Sequence, residues 1–249
     1  MEAVALSPPA AANAALIQKL RTDLWVRADA SRAVRMQAYM RSVMPFLGVP
    51  IQSVRALCRS ALAEFRLEGL AEWRSTILAL WREATYREEL YAALEILQLP
   101  HFRPFRTIEL LPLYEELVIA GGWWDTADTI AASLLGELVV LDPAAMTGEM
   151  RRWARDANLW KRRSAILCQL NLGTATDQQL LYDCIEPSLS ERSILLRKAI
   201  GWALREYARI APEAVIRYVE EHSDRLSPRS KREALRQLRR SGPTSTVDA

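Results

Sequence analysis

A segment near the middle of the chain, residues 121–128 (GGWWDTAD), concentrates aromatic surface and fixed negative charge. A helix that begins here places Trp124 and Asp128 four residues apart on one face. The face of an indole ring and a carboxylate both attract positive charge, so this pair suits a cationic group. The alternative is structural: the two tryptophans fill the core, and Asp125 and Asp128 form a variant of a capping box at a helix start. The opposite face of this helix is predicted to be apolar: Trp123, Ala127, Ile130, Ala131 and Leu134.

Motifs for several other chemistries are missing from the sequence. It contains no G-x-G-x-x-G, no phosphate-binding P-loop and no G-x-S-x-G. The two histidines, His101 and His222, are far apart and have no acidic or cysteine neighbours at metal-binding spacing, which argues against a zinc site or a histidine-based triad. We expect neither a metal nor a cofactor, which leaves carboxylates, aromatic rings and arginines to carry any chemistry.

Length and charge limit the class of protein and its partners. A chain of 249 residues that is 50% hydrophobic can bury a large core. Residues 1–150 carry 14 basic and 18 acidic side chains, whereas residues 151–249 carry 19 basic and 12 acidic ones. The C-terminal part is therefore basic although the net charge of the chain is only +3, which suggests a polyanionic partner.

The cysteines and the hydropathy pattern indicate a reducing compartment and no membrane span. Cys58, Cys168 and Cys184 are odd in number, lack C-x-x-C spacing and lie in apolar periodic segments, so we predict buried thiols in a reducing environment. No stretch is long and apolar enough to span a membrane, and the N-terminus lacks the pattern of a signal peptide. We expect a cytoplasmic, monomeric protein that does not bind a membrane.

Helical periodicity predicts an all-α fold, because no period-2 run or Asn-Gly hairpin is present. A Pro/Ala-rich tail opens the chain, and the loop from Pro100 to Thr107 interrupts the pattern. The second helix is predicted to run through Met36 and Met40 until Gly48 and Pro50 stop it. The other predicted helices are Ala15–Arg27, Ser53–Arg66, Leu70–Trp81, Arg87–Leu97, Leu110–Ala120, Trp124–Leu141, Met146–Ala157, Trp160–Leu170, Asp177–Ile185, Ser193–Arg209, Pro212–His222 and Pro228–Arg240.

The helices also repeat. Small-residue anchors recur at 33 to 39 residues: Ala93, Ala132, Ala165, Ala199 and Ala234. This spacing predicts a HEAT-like α-solenoid of antiparallel helix pairs, in which one helix of each pair lines a concave face. Basic residues before several anchors predict a basic groove there, although each such side chain could simply be solvated. The expected organisation is a disordered tail over 1–14, one repeat domain over 15–240 and a second disordered tail over 241–249.

Several motifs together resemble the AlkD-type DNA alkylation repair proteins. They appear in the order expected for that family and span about residues 17–240. The matching segments are 39–41 (YMR), 45–48 (PFLG), 123–128 (WWDTAD), 158–167 (NLWKRRSAIL), 197–207 (RKAIGWALREY) and 226–234 (LSPRSKREA). One departure is Pro50, where other members often carry a polar residue, and it puts in doubt a polar DNA contact from that loop.

This resemblance implies a DNA glycosylase that binds duplex DNA containing alkylated bases and hydrolyses the N-glycosidic bond of cationic purines such as N3-methyladenine and N7-methylguanine. It also implies that no base is flipped into a protein pocket, unlike in most glycosylases. Asp128 matches the catalytic carboxylate of the family, and Trp124 and Trp202 match the tryptophans that clasp the deoxyribose. The implied DNA-binding residues are Arg163, Arg205 and Tyr39.

The chemistry of such a substrate agrees with a single carboxylate. An N3- or N7-alkylated purine is already positively charged, so it leaves as a neutral base without a general acid. Positive charge then develops on the sugar, where Asp128 would stabilise it and orient a water molecule. Two other classes stay open: a non-catalytic DNA-binding solenoid, whose duplex affinity falls with salt, and a protein-interaction scaffold.

Overall fold

The computed structural model describes residues 10–238. Within that range every regular element is helical and no strand occurs, which confirms the predicted all-α class. The chain divides into two compact units, residues 10–105 and 106–238. The prediction of one repeat domain over residues 15–240 stays a prediction.

Five helices and a 3₁₀ segment form the first unit. The first helix begins at Ala14, one residue inside the predicted tail, because the Asn13 side chain accepts a hydrogen bond from the backbone N–H of Leu16. Of the predicted N-terminal tail, residues 1–9 lie outside the described residues, and so does the whole of the predicted C-terminal tail, 241–249. The elements are α1 (Ala14–Val26), α2 (Ala30–Met40), α3 (Ile51–Glu64), α4 (Gly69–Arg82), α5 (Arg87–Gln98) and the 3₁₀ segment Pro100–Phe105.

Helix α2 is shorter than the periodicity predicts. It ends at Met40, and Arg41 takes a left-handed conformation with φ 51° and ψ 36°. Pro45 disfavours a helical conformation at the residue before it. A buried carboxylate then binds the backbone N–H groups of the loop that follows. Glu88 accepts hydrogen bonds of 2.8–3.1 Å from three consecutive backbone N–H groups, those of Leu47, Gly48 and Val49. The chain then enters α3 after Pro50, which offers no side-chain cap.

Nine helices form the second unit, which holds most of the predicted site. The predicted helix Trp124–Leu141 is continuous, although its middle turn has π-helical hydrogen bonding. Such segments are frequent near functional sites. Besides three short 3₁₀ segments, the elements are α6 (Leu111–Gly121), α7 (Trp124–Thr129), the π segment Ile130–Leu135, α8 (Gly136–Leu141), α9 (Pro143–Trp153), α10 (Leu159–Leu167), α11 (Gln178–Ile185), α12 (Ile194–Tyr207), α13 (Pro212–Glu221) and α14 (Pro228–Ala234).

The repeat anchors and the cysteines lie where the sequence predicts. Four of the five anchor alanines are buried, and only Ala132 is half-buried. All three cysteines are buried free thiols, and burial raises the pKa of Cys58 to about 12. Among residues 10–238, no helix has the length and apolarity needed to cross a membrane.

Close packing of α12 on α14 depends on Gly201. A methyl carbon added there would lie 2.8 Å from Cβ of Glu233 and 3.2 Å from the Cα of Ser230. We expect Gly201→Ala to lower the free energy of unfolding by about 1–3 kcal/mol through overpacking, as measured by chemical denaturation. Gly148→Ala on α9 is the control, because no atom beyond its chain neighbours and its own helix backbone lies within 4 Å of the added carbon, and it should stabilise by roughly 0.5–1 kcal/mol. Equal effects of the two substitutions would contradict this packing role.

Candidate functional site

The site begins where α6 ends and α7 starts. Gly122 takes a left-handed conformation with φ 51°, which stops α6, and Trp123 is extended with φ −152° and ψ 157°. Trp124 is the first residue of α7. Glycine is the residue best suited to this turn, and the turn sets the direction in which α7 leaves.

The capping alternative for the two aspartates is wrong. The N-cap position is Trp123, which makes no side-chain cap hydrogen bond. Asp125 accepts a hydrogen bond from the adjacent N–H of Thr126 at 2.9 Å, and Asp128 points to another helix. The predicted apolar face is confirmed for its helical members, which are all buried: Ala127, Ile130, Ala131 and Leu134.

Asp128 and Arg163 form a buried, bidentate ion pair between α7 and α10. Nε of Arg163 donates to Oδ1 of Asp128 at 2.6 Å, and Nη2 donates to Oδ2 at 2.7 Å. The side chain of Asp128 is 12% exposed, against 5% for Arg163. The carboxylate is therefore the more exposed partner of this pair. Because a carboxylate offers about four lone-pair positions, the two bonds from Arg163 leave acceptor capacity on both oxygens.

The same arginine connects the pair to α12. Its third nitrogen, Nη1, donates to the backbone carbonyl of Leu195. Leu195 and Trp202 are seven residues apart on α12 and share a face. Arg163 thus holds the α7 carboxylate in one orientation and ties it to the helix that carries Trp202, which is half-buried.

Two opposing effects act on the carboxyl of Asp128. Burial raises its pKa above the ordinary value, while the hydrogen bonds and charge of Arg163 lower it and Asp125 adds a smaller raising effect. The net direction is upward. Removal of Arg163 would therefore raise the pKa of Asp128 further.

Helix α10 is fixed in place by further polar contacts. The Asn158 side chain accepts hydrogen bonds from the N–H groups of Trp160 and Lys161, which starts the helix. The buried ammonium of Lys161 lies 2.6 Å from one carboxylate oxygen of Glu115 and 2.6 Å from one of Asp156. These contacts fix the position from which Arg163 extends.

The remaining predicted residues occupy different environments. Arg205 pairs with Glu206 at 2.9 Å and also with Glu233, so its guanidinium, like that of Arg163, is already held by carboxylates. Tyr39 belongs to the first unit, on α2, and is 78% exposed. The DNA contacts of Arg163, Arg205 and Tyr39, and the basic groove, stay predictions.

Sequence reasoning missed the Asp128–Arg163 ion pair, although a signal for it was present. The two residues are 35 residues apart, which is one repeat length. Residues separated by one repeat occupy equivalent positions on neighbouring units, and opposite charges at such positions can pair.

Comparison with known proteins gives a family and a structural relative. The family model of the DNA alkylation repair enzyme matches residues 20–238. A solved structure of a predicted DNA alkylation repair enzyme from Enterococcus faecalis is 28% identical with a TM-score of 0.75, and the match covers 85% of this chain and 97% of that chain. No curated protein matches the sequence. The segment matched by the family model includes all six predicted site residues.

Proposed function

Because this chain belongs to the DNA alkylation repair enzyme family, we propose that it is a DNA glycosylase of base excision repair. Its substrates are N3- and N7-alkylated purines in duplex DNA, which carry a positive charge, and it hydrolyses the bond between base and sugar. The observation that supports this proposal most is one carboxylate, Asp128, fixed by two hydrogen bonds on the helix face that also carries Trp124.

The reaction needs no acid in this proposal. The alkylated base leaves with the bonding electrons and becomes neutral, water adds to C1′ of the sugar, and the proton that this water loses passes to solvent. Asp128 stabilises the positive charge that develops on the sugar and accepts a hydrogen bond from the attacking water. The lone-pair positions that Arg163 does not occupy are available for both tasks.

The tryptophans have a separate role. Ring faces of Trp124 and Trp202 enclose the deoxyribose and attract its developing charge, by about 0.5–2 kcal/mol each. The base stays outside any protein pocket, so the enzyme discriminates by the charge of the lesion more than by its shape. Arg163 serves this chemistry by positioning Asp128.

The test compares cationic and neutral lesions in one duplex. We expect release of free base from DNA that carries N7-methylguanine, and little release when a neutral damaged base occupies the same position. Release of free base can be followed by chromatography, with a reaction without protein as the blank. Comparable release of the neutral base would contradict a mechanism that relies on the charge of the lesion.

Trp202→Ala should reduce activity more than stability. Loss of one cation–π contact of 0.5–2 kcal/mol corresponds to a rate about 2- to 30-fold lower. The half-buried position of Trp202 leads us to expect a fold that survives the substitution. Single-turnover base release and the melting temperature are measured together, and a large drop in melting temperature with unchanged specific activity would make Trp202 a core residue.

A further inference from the structure

Three charged residues recur at an interval of one repeat length along the chain. Asp128 on α7, Arg163 on α10 and Lys198 on α12 are separated by 35 residues each. The first two are joined by their hydrogen bonds, and α10 also packs against α12. Lys198 therefore follows Arg163 at the same interval at which Arg163 follows the proposed catalytic carboxylate.

Lys198 also shares a helix face with Trp202. The two residues are four apart, so Lys198 lies one turn, about 5.4 Å, towards the N-terminus of α12 on the same side. The opposite side of α12 is buried, with Ile200 at 1% and Leu204 at 0% exposure. This rotation of the helix directs Lys198 to the surface that carries Trp202.

The charge of Lys198 is not compensated. Its side chain is exposed, and within residues 10–238 it makes neither a hydrogen bond nor an ion pair. Neighbouring arginines differ: Arg163 is held by Asp128, and Arg205 by Glu206. Glu233, the carboxylate one repeat after Lys198, forms ion pairs with Arg205 and Arg236.

We propose that Lys198 binds a phosphate of the DNA backbone next to the sugar enclosed by Trp124 and Trp202. The position of that sugar rests on the proposed function, whereas the exposed, unpaired ammonium does not. A flexible ammonium is well suited to a phosphate contact, as a point charge that needs no fixed geometry. Its contact adds affinity for any duplex and fixes the strand relative to Trp202.

The experiment measures how the affinity for undamaged duplex depends on salt. Lys198→Gln should reduce the slope of log K against log salt by about 0.9, which corresponds to an affinity roughly 8-fold weaker at 0.1 M salt. The control is Arg217→Gln on α13, an exposed cation without a hydrogen bond or ion pair within residues 10–238. α13 is a different helix, whose buried residues include Val215 and Tyr218, and the control slope should equal that of the parent.

The outcomes separate this inference from the proposed glycosylase activity. A reduced slope for Lys198→Gln alone supports the contact, even if the parent releases no base. An unchanged slope overturns the contact, even if the parent releases base normally. Equal reductions for both variants also overturn it, because they would show a general effect of charge. A parent that binds no duplex would overturn both proposals.

Discussion

Asp128→Asn is expected to slow base release from N7-methylguanine duplex by about 10²–10³-fold, or roughly 3–4 kcal/mol in the barrier. Asparagine keeps the size of the side chain but removes the negative charge that stabilises the sugar in the transition state. Binding of undamaged duplex should change little, because the substitution removes no positive charge. Single-turnover rates at saturating protein separate the two effects.

A neighbouring carboxylate provides the control. Asp125 lies in the first turn of the same helix and is bonded to the N–H of Thr126. Asp125→Asn should keep the rate of base release within a few-fold of the parent. A similar loss in both variants would point to the stability of the α7 start rather than to the charge of Asp128.

Arg163→Met should have the largest effect on stability. It leaves the Asp128 carboxylate buried without its partner, and breaking a buried ion pair in this way costs about 3–5 kcal/mol. Loss of the arginine also raises the pKa of Asp128 further, because the hydrogen bonds and the charge that lower it are gone. Catalysis requires the ionised carboxylate, so activity rises as the pH increases through this pKa, and the variant should need a higher pH than the parent.

Chemical denaturation and a pH–rate profile measure these two effects. The stability control is Arg162→Met, since Arg162 forms a partly exposed pair with Glu191 that should contribute less than about 1 kcal/mol. The double variant Asp128→Asn/Arg163→Met should be more stable than Arg163→Met alone, because no buried charge remains unpaired. If Arg163→Met destabilises no more than Arg162→Met, the buried ion pair is not a stabilising contact.

Much of the helical framework follows from local sequence. Apolar periodicity and a proline at the helix start predict the helix Pro212–Glu221 to within a residue, because local backbone preference and one buried face decide it. The predicted end of α2 is wrong because the loop after this helix is stabilised by Glu88, which lies 40 residues away from Gly48. A carboxylate that binds backbone N–H groups at that distance leaves no local pattern.

The site could be predicted only in part for the same reason. Trp124 and Asp128 are found from helical spacing, and Trp202 from the resemblance to a family. The contacts of Arg163 depend on which helices are neighbours and on how each is rotated. That Arg163 binds phosphate stays a prediction, and in this structure its three nitrogens donate to Asp128 and Leu195. Side-chain partners across helices are set by packing, which a single sequence records only through its repeat length.

Release of free base from duplex DNA that carries N7-methylguanine is the most direct test of the proposed activity. The protein should liberate N7-methylguanine and leave an abasic site, well above the spontaneous rate measured without protein, with Asp128→Asn close to that background. Duplex binding that weakens with salt but releases no base would contradict the proposal. It would instead indicate a non-catalytic DNA-binding protein.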